Sequence, residues 1–176
     1  MVGYIALLRG VNVGGITIRS AELRELFEQL GFRDVRTVLA SGNVAFTLLT
    51  REAPAATKRR IEQALSERFG YDAWIVLLTR AALERAVAGF PFDADDPRRQ
   101  PYVVFASEPG VVDELVGFAG TADPEVDPIA RGDGVVYWNP VKGTTVDTPF
   151  AKHLARAKYK STTTNRNLRT LHKLLA

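Results

Sequence analysis

Two continuous apolar runs, Tyr4–Leu8 and Ala73–Leu78, bracket a segment that holds two amphipathic helices and a hairpin. Runs that are apolar at every position fit strands covered on both faces. Between them, Leu23, Leu26, Phe27 and Leu30 recur at helical spacing after a capping Ser20, and Gly31 closes that helix. Val35–Leu39 and Val44–Leu48 are joined by Ala40-Ser41-Gly42-Asn43, a hairpin spacing. A second helix is predicted from Pro54 to Phe69, with Ile61, Ala64, Leu65 and Phe69 on one stripe and Gly70 as its stop. The order is β-α-β-β-α-β, the ferredoxin-like split unit. Helices cover one sheet face in such a unit and leave the other open. Strands one and four are apolar on both sides, so the rest of the chain is expected to cover the second face.

That remainder reads as a second, smaller α+β part. Thr79 caps a short helix with Leu83, Ala86 and Val87, closed by Gly89. The stretch from Phe90 to Pro101, rich in proline and charge, is linker-like. Tyr102–Phe105 is a strand, and Ser107 caps a helix bearing Val112, Leu115, Val116 and Ala119. Ile129–Arg131 and Val135–Trp138 flank Gly132-Asp133-Gly134, a second hairpin signal. Two helices are predicted to end the chain. One starts near Pro149; the other follows Thr162-Thr163-Thr164-Asn165, with Leu168, Leu171 and Leu175 inward. The fold class is therefore α+β: a ferredoxin-like subdomain at 1–89, packed against a second α+β subdomain at 90–176 with basic C-terminal helices. No internal repeat is visible in the sequence.

A chain of 176 residues buries roughly two-thirds of its unfolded surface and needs no staple. Cysteine is absent, which removes disulfides, thiolate catalysis, zinc–thiolate sites and iron–sulfur clusters, and suits a reducing compartment. The N-terminus lacks the pattern of a signal peptide, and no apolar run approaches the ~20 residues that cross a bilayer. A cytoplasmic protein without membrane contact is expected.

The net charge of +3 conceals an asymmetry. From Lys142 to Ala176 eight basic residues stand against Asp147 alone, a net of +7, while the remainder carries 15 basic and 19 acidic residues, a net of −4. A basic tail on a mildly acidic body faces an anion (nucleic acid, phosphate or a partner's acidic patch) or covers its own acidic body. In the expected last helix Arg166, Arg169, Thr170 and Lys173 share one face, opposite the leucines, where an anion at the Thr164-Asn165 end would offset cations near a positive helix end.

The loop Leu8-Arg9-Gly10-Val11-Asn12-Val13-Gly14-Gly15 is the most informative local feature. Glycines allow sharp turns and close ligand approach, successive amides there can form an anion nest, and an arginine suits phosphate or carboxylate. The spacing is neither a Walker loop nor a dinucleotide fingerprint. A structural turn and a ligand loop both remain open. Ser41-Gly42-Asn43 lies between strands two and three. In the split topology strand three runs antiparallel beside strand one, which places Ser41 and Asn43 near Arg9 and Asn12. Hairpin tips also select these residues without any function.

Catalytic readings are weak. His153 and His172 fall on different helices without paired acids, Asp93-Ala94-Asp95-Asp96 lacks the pattern of a calcium loop, and Ser41 lacks a nucleophile elbow. No metal or cofactor is implied. Trp74 and Trp138 sit in apolar strands and are expected in the core. Base stacking in the manner of RNA-recognition modules fails, since strand three offers only Phe46 and strand one only Tyr4.

Taken together, Tyr4-Ile5-Ala6-Leu7-Leu8-Arg9-Gly10-Val11-Asn12-Val13-Gly14-Gly15, Ala21-Glu22-Leu23-Arg24, Ser41-Gly42-Asn43-Val44 and Thr164-Asn165-Arg166-Asn167 with Thr170, Lys173 and Leu174 resemble the bacterial domain-of-unknown-function family 1697. The resemblance covers essentially the whole chain. It implies two small α+β subdomains and no assigned reaction. Its polar signature falls on Arg9, Asn12, Ser41, Asn43, Arg166, Asn167, Thr170 and Lys173. The chain departs at Leu168, where the family usually has tryptophan, and at Thr148-Pro149-Phe150, where a Ser-Lys-Leu-like segment is common.

The expected function is a binding protein for a phosphate-bearing ligand or nucleic acid. Its polar, cationic pocket draws on Arg9, Asn12, Gly14, Gly15, Ser41, Gly42 and Asn43, with Arg166, Asn167, Thr170 and Lys173. The alternatives are an enzyme of unassigned reaction using the same pocket and an oligomer or partner-docking module. The lack of histidine, cysteine or paired acids at these motifs weighs towards binding.

Overall fold

The stripe that begins at Leu23 forms helix α1 (Ser20–Gln29), whose Leu23, Leu26 and Phe27 are buried against a sheet. The computed structural model describes residues 1–12, 16–159 and 161–176. The chain divides into two compact units, Met1–Leu83 with Lys173–Ala176, and Glu84–His172.

In the first unit β1 (Val2–Leu8), α1, β2 (Arg33–Thr37), β3 (Asn43–Leu48), α2 (Pro54–Phe69) and β4 (Ile75–Thr79) follow one another. The sheet is antiparallel in the order β2-β3-β1-β4, the β-α-β-β-α-β arrangement read from the sequence. The helices bury Leu23, Leu26, Phe27, Ile61 and Leu65 against Tyr4, Ala6, Leu8, Val44, Phe46 and Ile75. Phe32 packs on Phe46 with ring centroids 4.3 Å apart, and the Arg60 guanidinium lies 4.8 Å over the Phe32 ring. Arg60 also donates to the Glu52 carboxylate at 2.7 Å and to the Leu30 carbonyl at 2.7 Å, tying α2 to the end of α1. Ser20 is the first helical residue rather than the cap. The Glu22 carboxylate instead accepts the Arg19 amide at 3.4 Å.

The other face of this sheet is buried as well, as at Ile5 and Leu7. Arg36, on the face of β2 opposite Val35, donates to the carbonyls of Lys173 and Leu174 at 3.0 and 2.6 Å, and Arg80 donates to the carbonyl of Leu175. Two arginines thus satisfy C-terminal carbonyls that a helix leaves without intrahelical partners.

The second unit begins within α3 (Arg80–Ala88) and continues through β5 (Tyr102–Ala106), α4 (Pro109–Ala119), β6 (Ile129–Arg131), β7 (Val135–Trp138), α5 (Pro149–Leu154), a single 3₁₀ turn at Ala157–Tyr159, β8 (Thr163–Asn167) and most of α6 (Leu168–Leu175). Its sheet order is β6-β7-β5-β8. This is the connectivity of the first unit repeated, strand for strand. Tyr102 pairs with Trp138 and Asn167 as Tyr4 pairs with Phe46 and Thr79. The positive-φ Gly134 stands where Gly42 stands in the first unit, at 69° against 73°. The core gathers Val112 and Leu115 of α4, Phe150 and Leu154 of α5, and Val104, Val136 and Trp138 of the sheet. The buried Asp127 carboxylate accepts the Trp138 indole N–H at 2.9 Å and the Phe150 amide at 3.0 Å.

The last helix starts later than the sequence suggests. Thr163–Asn167 is a strand, with Arg166 opposite Val103 of β5, so Arg166 does not share a helix face with Arg169, Thr170 and Lys173. Three successive threonines favour an extended backbone, and pairing with β5 satisfies the backbone groups on the side of β8 that faces it. Likewise the cap of α4 lies one residue beyond the expected Ser107, at Glu108, with Pro109 in the first turn. Among the described residues no helix is long and apolar enough to cross a membrane.

Candidate functional site

The end of β1 is where the polar loops of the first unit meet. The Leu8 amide donates to the Gly42 carbonyl at 2.8 Å, and the Arg9 amide donates to the Trp74 carbonyl at 3.0 Å. Arg9 is therefore flanked by the hairpin tip on one side and the start of β4 on the other. Gly42 has φ +73°, and a β-carbon there would lie 2.8 Å from that of Leu8. Only glycine lets the tip come this close.

Asn12 adopts φ +58°, a conformation that asparagine tolerates better than most residues. Its side-chain amide donates to the carbonyls of Ile18 and Ala40, and its carbonyl oxygen accepts the Ile18 amide at 3.1 Å. Both Nδ2 protons are thus directed at backbone, and Asn12 braces the loop against the hairpin. Asn43 is fully buried; its side-chain amide donates to the Val38 carbonyl at 2.8 Å and the Ser41 hydroxyl at 2.7 Å, while its backbone carbonyl accepts the Val38 amide. Ser41 stays exposed at the tip. Gly14 and Gly15 lie outside the described residues.

Sheet alternation assigns the faces. Leu8 and Ile75 pair and both enter the helix-facing core. The next pair out, Arg9 and Trp74, therefore points to the other face, as do Leu7 and its partner Asn43. Arg9 is half-buried, and burial holds its guanidinium pKa below the usual arginine value. The group remains a cation, but one stripped of much of its water. Trp74 is 41% exposed and not a core residue. Strand β4 starts at Ile75, one residue after it, so the indole stands at the rim of the sheet rather than within it. Trp138 is buried at 1%.

Positive backbone φ is concentrated here. Gly10, Asn12, Leu39 and Gly42 all adopt it within the two touching loops. Leu39, 50% exposed at φ +56°, is a strained choice for a leucine. Sequence reasoning missed both Leu39 and Trp74, because each reads as one more apolar residue in a strand.

The C-terminal residues of the signature are placed as follows. Arg166 is buried in β8 and donates to the Thr164 hydroxyl at 2.6 Å and the Asn165 carbonyl at 2.8 Å. The Asn167 side-chain oxygen accepts the Arg169 amide at 2.9 Å and caps α6. Thr170 is half-buried on α6; the Lys173 side chain is exposed, and its carbonyl is held by Arg36. Leu168, at the tryptophan position of the resemblance, is buried. Arg166, Asn167 and Thr170 belong to the second unit, Lys173 to the first. Among the described residues no group of three or more His, Cys, Asp or Glu is gathered to hold a metal ion.

In the second unit His153 stacks on Phe118 with ring centroids 4.2 Å apart, and its Nε2 lies 3.2 Å from the Tyr159 hydroxyl, which donates to Glu114 at 3.0 Å. Burial, and then Arg156 and Lys158, push the His153 pKa down. Among the described residues its Nδ1 is buried without a hydrogen-bond partner. This group braces α5 against α4.

Residues 1–137 match the model of a family described as a protein of unknown function, DUF1697. The chain is similar to the solved structure of a conserved bacterial protein, SP0830, from Streptococcus pneumoniae, at 23% identity and a TM-score of 0.79, over 98% of this chain and 96% of that one. At that identity the likeness shows a shared fold. No curated protein matches the chain. With more than half of its length matched, the chain belongs to the DUF1697 family.

Proposed function

We propose that this protein is a cytoplasmic binding protein whose half-buried Arg9 takes a phosphate-bearing ligand. The observation that carries the reading is the half-buried, desolvated Arg9 guanidinium at the junction of two loops rich in positive φ. A cation held partly out of water gains strongly from an incoming anion, because the low local dielectric strengthens the pair. Strained backbone persists where the surroundings over-determine it, and it gathers at binding sites. The +7 tail from Lys142 onward adds a long-range field that would steer anions towards the protein. The lack of cysteine is what supports the cytoplasmic part of the reading, since it suits a reducing compartment.

The test is thermal. Phosphate-bearing metabolites are screened for a rise in melting temperature, then rerun on Arg9→Ala. Loss of every shift in the variant supports the reading, and retention of the shifts removes Arg9 from the site. If the ligand is a nucleic-acid strand, affinity falls steeply as salt rises.

A further inference from the structure

We infer that the ligand at Arg9 is a nucleotide, its base stacked on Trp74 and its phosphate held by Arg9. This deepens the phosphate-binding reading and rests on it. The two side chains leave the sheet side by side. Arg9 and Trp74 are opposite one another across β1 and β4, joined by the amide-to-carbonyl bond of 3.0 Å, and the alternation set by Leu8 and Ile75 turns both to the face away from the helices. Directly opposed side chains have β-carbons about 4.5–5.5 Å apart. That spacing sets a guanidinium beside an indole at the reach of a base and its own phosphate. A tryptophan at the rim of a sheet, 41% exposed, leaves a large apolar surface in water beside a cation. Nucleotide sites join these two chemistries, an aromatic plane for the base and a cation for the phosphate.

The second unit supplies an internal control. The same backbone bond recurs there from Ser107 to the Thr162 carbonyl at 2.8 Å, at the matching position beyond β5 and β8. Serine and threonine suffice for the fold at that place. The architecture therefore does not require an arginine and a tryptophan where the first unit has them. The aromatics that a sheet-face RNA reader would use are not available either: Tyr4 and Phe46 stack on each other at 5.9 Å and are buried in the helix-facing core. Among the described residues Trp74 is the exposed aromatic at this end of the sheet.

The experiment compares ATP and an eight-residue oligothymidylate with tripolyphosphate, all without magnesium, by tryptophan fluorescence and calorimetry on the full chain. Tripolyphosphate carries the phosphates of ATP without a base, and the buried Trp138 gives a constant background. The expected result is quenching by ATP and the oligonucleotide and affinities about tenfold to hundredfold above tripolyphosphate, the range of one stacked base. Trp74→Ala removes that advantage and leaves tripolyphosphate binding unchanged, and Trp74→Phe restores most of it. An oligonucleotide bound more than tenfold tighter than ATP, with a steep salt dependence, marks a strand as the source; equal affinities mark a free nucleotide. Equal binding of ATP and tripolyphosphate, indifferent to Trp74→Ala, overturns the base-stacking inference and leaves the phosphate reading standing. Binding that survives Arg9→Ala but falls with Trp74→Ala overturns the phosphate reading instead. Absence of binding by all three compounds overturns both.

Discussion

Gly42 lies against Leu8 so closely that its carbonyl accepts the Leu8 amide at 2.8 Å and an added β-carbon would stand 2.8 Å from the Leu8 β-carbon. This contact joins the hairpin tip to the end of β1 and fixes where Arg9 emerges.

Gly42→Ala is expected to be costly for two reasons. An L-residue at φ +73° loses about 1–2 kcal/mol, and the collision with Leu8 adds about 1–3 kcal/mol. Gly134→Ala provides the comparison, with φ +69° and nothing within 4 Å of an added β-carbon. Only the first cost, about 1–2 kcal/mol, applies there. Chemical denaturation of both variants checks the difference. Equal losses would show that the close approach to Leu8 is not limiting.

Asn12→Ala removes the brace between loop and hairpin. The Ile18 amide loses its acceptor, and the Ile18 and Ala40 carbonyls lose a donor. The expected cost is about 1–3 kcal/mol, with faster hydrogen exchange at the Ile18 amide. Unchanged exchange there would mean that the loop holds its shape without the side chain.

Much of this was legible in the residues, for identifiable reasons. The order of the first sheet follows from elements with clear periods: the stripe of α1, the Pro54 start of α2, and the hairpin at Gly42. The antiparallel pairing of β3 on β1 then follows from topology, and it brings the Gly42 tip beside Leu8. Other features were hidden. In the run Ala73–Leu78 every position is apolar, so nothing in it marks the strand's start at Ile75 or leaves Trp74 at the rim. Strand β8, Thr163-Thr164-Asn165-Arg166-Asn167, contains no apolar residue, so its hydropathy resembles a helix lead-in. The duplicated topology leaves no sequence repeat, because alternation and turn chemistry recur without identity. The bonds from Arg36 and Arg80 to the last turn of α6 span most of the chain, which no local pattern encodes.

Stability should fall on mild acidification, and His153 should carry part of the slope. Burial, together with Arg156 and Lys158, depresses its folded pKa below 6.5, while the unfolded chain takes up a proton near that value. Between those two values the unfolded state binds more protons, so stability is fully present at neutral pH and declines as pH drops below about 6.5. Urea denaturation of the wild type at pH 7.5, 6.5 and 5.5, beside His153→Gln, reads the effect. A flatter profile in the variant is expected; identical slopes would clear His153 of the role. Carboxylates such as Glu114, held low by Lys158 and Tyr159, contribute only in more acidic solution.

Anion binding at Arg9 is read at its own side-chain Nε–H resonance, assigned through Arg9→Lys, in a nuclear magnetic resonance titration with tripolyphosphate. A saturable shift of that resonance, together with the Leu8 and Gly42 amides, is expected ahead of any change at exposed Lys152 or Arg156. Shifts confined to the basic tail, with Arg9 unmoved to the end of the titration, would contradict it.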